Sequence, residues 1–316
     1  MFLKTKHQLR PQFIINPQSN KGRTGKRWRQ IKEALSAFFK EFKYEFTEKP
    51  LHAIEISRSA IKEGSELIIA VGGDGTVNEI ANGFFENLKI INPQTILGLI
   101  PSGTGCDLSR SLNIPNRLNH ALKIITQAPS ALIDIGRATF VDHSGKQEER
   151  MFLNVGDFGV GGEVVKKVNE NRMKRKASSY LKSLISAFFS YKNKKIEIKI
   201  DDQEIPLDEY LIGAIANGKI FGKGMKIAPD AKLDDGYFDI ILVKGMKTWE
   251  FILNAHKLYS GTHLTLPQIT LIQGKKIEAD SAEEENVLIE LDGEQLGRLP
   301  ATFEILPKRI PIIGYV

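Results

Sequence analysis

The sequence predicts an α/β protein in two parts, a doubly wound parallel layer followed by a β-rich half. Three observations carry this expectation. Up to about residue 132, short apolar runs alternate with amphipathic helical stretches, the texture of repeated βα units. Leu67–Val71 and Ile96–Ile100 are unbroken apolar runs, as strands covered on both faces require. Beyond residue 132, strand-like runs separated by turn residues dominate, the pattern of an antiparallel sandwich or barrel. A chain of 316 residues, 41% hydrophobic and 26% charged, has room for two globular cores.

In order, Gln12–Asn16 reads as a strand, followed by a polar loop and a helix over Gly25–Phe39. Tyr44–Thr47 is a second short strand and Leu51–Glu63 a second helix. The Leu67–Val71 strand turns through Gly72–Gly75 into a helix from Thr76, and Ile96–Ile100 ends in a Pro-Ser-Gly-Thr-Gly turn. The domain boundary is placed near Leu132–Asp134, giving 1–132 and 133–306. Strands are then expected at Ile196–Ile200, Tyr210–Ala216, Tyr237–Val243, Gln268–Ile272, Lys275–Ala279, Val287–Leu291 and Thr302–Leu306. Helices are expected at Val160–Asn169, around 178–191 and at Thr248–Tyr259.

Composition excludes several classes. No apolar run approaches the ~18–20 residues that cross a bilayer. The basic start, MFLKTKHQLR, is not followed by the apolar stretch of a signal peptide. Cys106 is the only cysteine, which excludes an intrachain disulfide and a cysteine zinc site, and the six histidines show no paired spacing. An intracellular soluble protein is expected. Net charge is +6, but residues 166–195 hold ten Lys or Arg and one acid, a surplus of nine. Such a patch attracts polyanions or an anionic membrane face. Within it Leu181, Leu184, Ile185 and Phe188 share one helix face. That stripe fits a core-packed helix or an interfacial helix on lipid.

The strongest local signal is Val71-Gly72-Gly73-Asp74-Gly75-Thr76-Val77-Asn78-Glu79, between a buried strand and a helix. Glycine lets backbone N–H groups approach an anion closely, and a helix N-terminus favours negative charge. Asp74 suits such a turn if a divalent cation or a ribose hydroxyl sits between carboxylate and phosphate. A second turn, Pro101-Ser102-Gly103-Thr104-Gly105-Cys106-Asp107, and the loop Asn16-Pro17-Gln18-Ser19-Asn20 also follow strands. In a parallel sheet such loops converge on one crevice. There is no Walker A or GxGxxG spacing. Downstream lie two acidic turns, Ala228–Tyr237 and Leu291-Asp292-Gly293-Glu294. By spacing alone each reads equally as a surface turn.

Taken in order, GGDGTVNEI, PSGTGCD, IANGKIFGKGMKIAPDAKLDDGYFDI and LDGE resemble the diacylglycerol kinase catalytic family, which includes bacterial soluble diacylglycerol kinases and sphingosine and ceramide kinases. The resemblance covers nearly the whole chain. It implies a Rossmann-like nucleotide domain and a β-rich lipid domain, with the tail 307–316 returning to the first. ATP would contact Asn16–Asn20, Thr47, Gly72–Glu79 (Asp74 among them) and Thr104. A structural Mg²⁺ would sit near Lys232, Asp235 and Tyr237, the first and last through carbonyls. Glu294 would be the general base, with Asp292 beside it and Asp74 handling Mg·ATP. Cys106 departs from the family's usual asparagine, which weakens any role for that side chain.

The implied function is an ATP-dependent lipid kinase acting on a lipid alcohol at an anionic membrane surface. It would be cytoplasmic and peripheral at the inner face of the membrane, a homodimer being allowed for and no nucleic acid expected. A soluble-substrate kinase of the NAD-kinase type would share the glycine turn but is disfavoured by the APDAKLDDGYFDI and LDGE turns. A non-enzymatic lipid- or nucleic-acid-binding protein is disfavoured by intact Asp74, Asp235 and Glu294.

Overall fold

The computed structural model describes residues 10–173, 186, 188–283 and 285–315. The first half builds a parallel layer from β1 (Gln12–Ile15), β2 (Lys43–Phe46), β3 (Leu67–Gly72) and β6 (Ile96–Pro101), in the order β2-β1-β3-β6. Between them run α1 (Arg23–Lys26), α2 (Trp28–Phe38), α3 (His52–Lys62), α4 (Asp74–Gly83) and the small hairpin β4 (Phe85–Glu86)–β5 (Lys89–Ile90). After β6 come α5 (Asp107–Ser111) and α6 (Leu118–Gln127).

Side-chain alternation explains why both faces are covered. Ile14, Ile68, Ala70 and Leu99 face Ile56 of α3 and Ile80 of α4. Phe13, Ile69, Val71 and Ile100 face Leu35 of α2 and Ile125 of α6 on the other side. The expected helix over Gly25–Phe39 is broken at Arg27 into two pieces, and α4 starts at Asp74 rather than Thr76.

The second half is antiparallel. It comprises β7 (Ser130–Asp142), β8 (Gln147–Phe152), β9 (Val155–Gly159), β10 (Lys194–Ile200), β11 (Gln203–Ala216) and β12 (Phe238–Lys244). It continues with β13 (Ile269–Gly274), β14 (Lys276–Ser281), β15 (Leu288–Leu291) and β16 (Glu294–Ile313). Phe140, Phe152, Phe158, Phe238 and Phe303 fill its interior. Two helices, α7 (Val160–Met173) and α8 (Thr248–Ser260), accompany it.

The residues expected as a domain boundary, Leu132–Asp134, lie inside β7, which pairs with β16 from Ser130↔Ile313 to Asp142↔Gly297. The end of β16 also pairs in parallel with β6, Ile312↔Leu97. One hydrogen-bonded sheet therefore runs through both halves. Of the expected helix around 178–191, residues 174–185 and 187 lie outside the described residues, as do Leu181, Leu184 and Ile185. Phe188 is buried and stacks on Phe251 with 3.7 Å between ring centroids. Some of the basic surplus is paired locally: Lys194 with Glu285 and Lys195 with Glu283.

Candidate active site

The carboxyl ends of β1, β3 and β6 bring the three predicted loops together. Asn16 Nδ2 donates to Thr76 Oγ1 at 3.1 Å, and the Asn16 carboxamide oxygen accepts the Gln18 N–H at 2.9 Å. Thr24 Oγ1 contacts Ser102 Oγ at 2.6 Å, tying the first loop to the third. The second and third loops touch glycine to glycine. A Cβ on Gly103 would lie 2.4 Å from the Gly73 Cα, so no other residue fits there without moving the backbone.

Asp74 is half-buried and holds this contact closed. Its carboxylate accepts the N–H groups of Cys106 and Asp107 at 2.7 Å each and of Leu108 at 3.3 Å. The expected role of Asp74 is Mg·ATP handling; it stands in the cavity wall, and its contacts in the structure are to these main-chain N–H groups. Both oxygens are engaged by the amino end of α5, and the carboxylate acts as a clasp between two glycine turns. Burial nevertheless pushes its pKa up, against the lowering effect of those N–H groups. Beside it burial and the Asp74 charge push Asp107 up to about 6.

The second acidic turn reaches back to the first domain's loops. Asp292 takes a left-handed conformation, φ 49°, followed by Gly293 at 91°. Its carboxylate accepts from Leu153, Asn154 and Val155 main-chain N–H groups and from Asn78 Nδ2, at 2.8 to 3.1 Å. Asp292 therefore anchors the turn against β9 and α4, and it also lines the cavity in which a catalytic role is expected of it. Glu294 alone projects over the phosphate-type turn: its Oε1 lies 3.0 Å from where a Gly75 Cβ would be. Burial, then the Glu79 carboxylate, push its pKa up to about 7, and Arg150 opposes them.

These residues line one cavity of about 900 Å³. Part of the wall is polar, with Asn16, Gln18, Gly73, Gly75, Thr76 and Thr104. Another part is apolar, formed by Val164, Leu211, Met225, Met246, Phe251 and Leu258, which belong to one hydrophobic cluster. Glu294 stands in the same wall. Of the expected contacts, Ser19, Asn20, Asp74 and Glu79 also line it, whereas Pro17, Thr47, Gly72, Val77 and Asn78 do not. Val77 and Asn78 are buried inside α4, and the Thr47 N–H is spent on the Ile15 carbonyl. The sequence reading missed Arg150 and the acid pair Asp157–Glu290 in the wall, because neither lies in a turn motif.

Lys232, Asp235 and Tyr237 are exposed on a turn away from this cavity. Asp235 Oδ1 accepts the Tyr237 N–H at 3.1 Å, and the turn is pinned by Asp134, which accepts the Gly236 N–H at 2.6 Å. Among the described residues no three His, Cys, Asp or Glu side chains converge on a metal position. A single carboxylate with two carbonyls is still an all-oxygen donor set of the kind Mg²⁺ takes. Burial raises the carboxyls of Asp134 and Asp239 and repulsion from Asp235 adds to both, against N–H donors to each, so a cation here would offset negative charge.

Two family models match the chain: the diacylglycerol kinase catalytic domain over residues 10–138, and the YegS C-terminal NAD kinase beta sandwich-like domain over 154–314. A diacylglycerol kinase of Staphylococcus aureus (strain MRSA252) is 31% identical over 317 aligned positions, covering 96% of this chain and 92% of that one. A crystal structure of a diacylglycerol kinase from Bacillus anthracis str. Sterne superposes with TM-score 0.71 at 25% identity, covering 96% of both chains. Another crystal structure from that strain reaches 0.77 at 28% identity, covering 99% of this chain and 97% of the other.

Proposed function

The chain belongs to the diacylglycerol kinase catalytic family, and from that premise we propose that its cavity transfers the γ-phosphate of ATP to the hydroxyl of a membrane lipid, diacylglycerol or a similar lipid alcohol. One observation carries the reading: Glu294 stands where a glycine-turn phosphate cradle meets an apolar cavity. Residues 1–132 with 307–316 would act as a Rossmann-like nucleotide domain and 133–306 as the lipid domain. Asn16–Asn20, Gly73–Thr76 and Thr104 would bind ATP, the amino end of α4 favouring phosphate charge.

In the reaction the lipid hydroxyl oxygen attacks the γ-phosphorus and the bond to the β–γ bridging oxygen breaks. The hydroxyl proton passes to Glu294, leaving ADP and the lipid phosphate. A carboxyl raised to about 7 is matched to this task near neutral pH. Lys232 and Tyr237 carbonyls with the Asp235 carboxylate would hold Mg²⁺, which when bound would offset that negative charge. The ion would brace the turn, since none of the three lines the cavity. Wild-type protein should then melt higher with Mg²⁺ and Asp235→Ala should not respond. An equal response from both would remove the metal from this turn.

No helix among the described residues is long and apolar enough to cross a membrane. We place the protein in the cytoplasm, peripheral on an anionic membrane, because a bilayer-dissolved substrate must meet the cavity at an interface. The test is labelled ATP offered with diacylglycerol, a monoacylglycerol, a sphingoid base and a polyprenol in mixed micelles, and with NAD in solution. Label should enter a lipid. Label entering NAD alone would overturn the reading.

A further inference from the structure

The cavity wall holds a cation that neither the turn motifs nor the reaction above uses. Arg150 lies on β8, next to Met151, whose main chain is clamped to α4. The Met151 carbonyl accepts from Asn78 Nδ2 and Asn82 Nδ2 at 2.9 Å each, and its N–H donates to Asn82 Oδ1 at 3.0 Å. The Arg150 backbone is thereby fixed beside the helix that the phosphate turn opens. Its side chain shares the cavity wall with Gly75, Glu79 and Glu294. The Nε is buried without a hydrogen-bond partner. No ion pair among the described residues includes Arg150.

The nearby acids are otherwise provided for. Asp74 and Asp292 are satisfied by N–H donors, and Glu79 accepts the Ala53 N–H at 3.2 Å. Glu79 and Glu294 still make the reacting end of the cavity anionic. A phosphoryl group moving towards Glu294 carries more negative charge into it, and a low-dielectric site magnifies the repulsion. The other described cations in the wall, Lys21 and Lys223, belong to the first loop and to the 222–224 turn, where the Lys223 N–H donates to Asp107. Arg150 is the one whose charge acts on the Glu294 carboxyl. A guanidinium is always charged and presents a planar fork of donors matched to phosphate oxygens.

We propose that the Arg150 guanidinium binds the γ-phosphoryl group during its passage to the acceptor hydroxyl, which makes Arg150 a catalytic residue. The inference rests on the kinase reading above. No bond forms to Arg150; its N–H groups hold charge that develops on the phosphoryl oxygens.

The experiment is the pH profile of kcat for wild type, Arg150→Gln and Arg150→Lys, with ATP affinity by calorimetry and melting temperature on the same samples. Arg150→Gln should lose about 100-fold in kcat at every pH, alkaline plateau included, with ATP affinity within about threefold. Added guanidinium ion at non-denaturing concentration should restore part of the rate, and Arg150→Lys should fall about tenfold. Recovery of the wild-type rate by Arg150→Gln on the alkaline plateau would overturn the proposal, because Arg150 would then only keep Glu294 ionised. Should Arg150→Gln fail to fold, a folded Arg150→Lys with wild-type kcat would overturn it and a tenfold loss would sustain it. Rates are read as ADP formed with whichever acceptor the wild type uses. A wild type active only on a water-soluble alcohol would therefore sink the lipid reading and leave the Arg150 result intact.

Discussion

In the proposed reaction Glu294 must be ionised to take a proton, and its carboxyl is held up at about 7 by burial and Glu79. The rate should therefore climb with pH through about 7 and level off above it, and Glu294→Gln should remove both the limb and most of the turnover. The same shift opposes stability. An acid raised from its ordinary value near 4.5 keeps its proton better when folded, so its contribution is lost as pH rises through about 7. Thermal melts of Glu294→Gln should accordingly exceed those of wild type at pH 8 and match them at about pH 4, below the ordinary carboxyl value. Asp74→Ala should act on architecture. Three N–H groups at the start of α5 lose their acceptor, which costs about 2–3 kcal/mol and loosens the ATP loops. Calorimetry showing wild-type ATP affinity and an unchanged melting temperature would contradict the clasp. The family resemblance of the LDGE turn pointed to Glu294, which by spacing alone could sit on a surface turn; the structure puts it in the cavity wall beside Gly75. The sequence could not show what Asp74 contacts, because the partners of that carboxylate lie in a different loop.

At the scale of elements, β9 and β15 set Asp157 directly opposite Glu290. Both are buried, both carboxyls are pushed up by burial, and the Asp157 charge pushes Glu290 up further. Raising pH must charge this pair, so its effect on stability turns unfavourable as both acids ionise. Glu290→Gln leaves one carboxylate with an amide donor. It should raise the melting temperature at pH 8 by a few degrees, about 1–2 kcal/mol. A lower melting temperature at pH 8 would show that the pair is not strained. Such pairs are invisible in sequence, since register alone creates them. Strand extents show the same limit. Only Thr302–Leu306 of the long β16 reads as strand, because Pro300, Pro307 and Pro311 punctuate it. The structure places register shifts between Arg298 and Ala301 and between Leu306 and Ile310, so Pro300 and Pro307 fall at irregularities that spare the ladder. The buried parallel strands were legible because continuous apolar runs such as Leu67–Val71 permit little else.

For the whole molecule, the paired β7 and β16 carry one sheet from the glycine-turn half to the antiparallel half, and one cavity is lined from both, which the proposed transfer requires. The two-part layout was legible in the shift from βα units to strands. The continuity of the sheet was not, because strand pairing between residues 130–142 and 297–313 leaves no local mark. The central claim is that this cavity moves phosphate from ATP to a lipid hydroxyl with Glu294 as the base. The most direct measurement follows label from γ-labelled ATP in diacylglycerol mixed micelles, for wild type and Glu294→Gln, with ADP counted alongside. The account predicts one labelled lipid phosphate per ADP in wild type, and a loss of at least 100-fold in a variant that still binds ATP. ADP released with free phosphate and no labelled lipid, or a Glu294→Gln rate close to wild type, would contradict it.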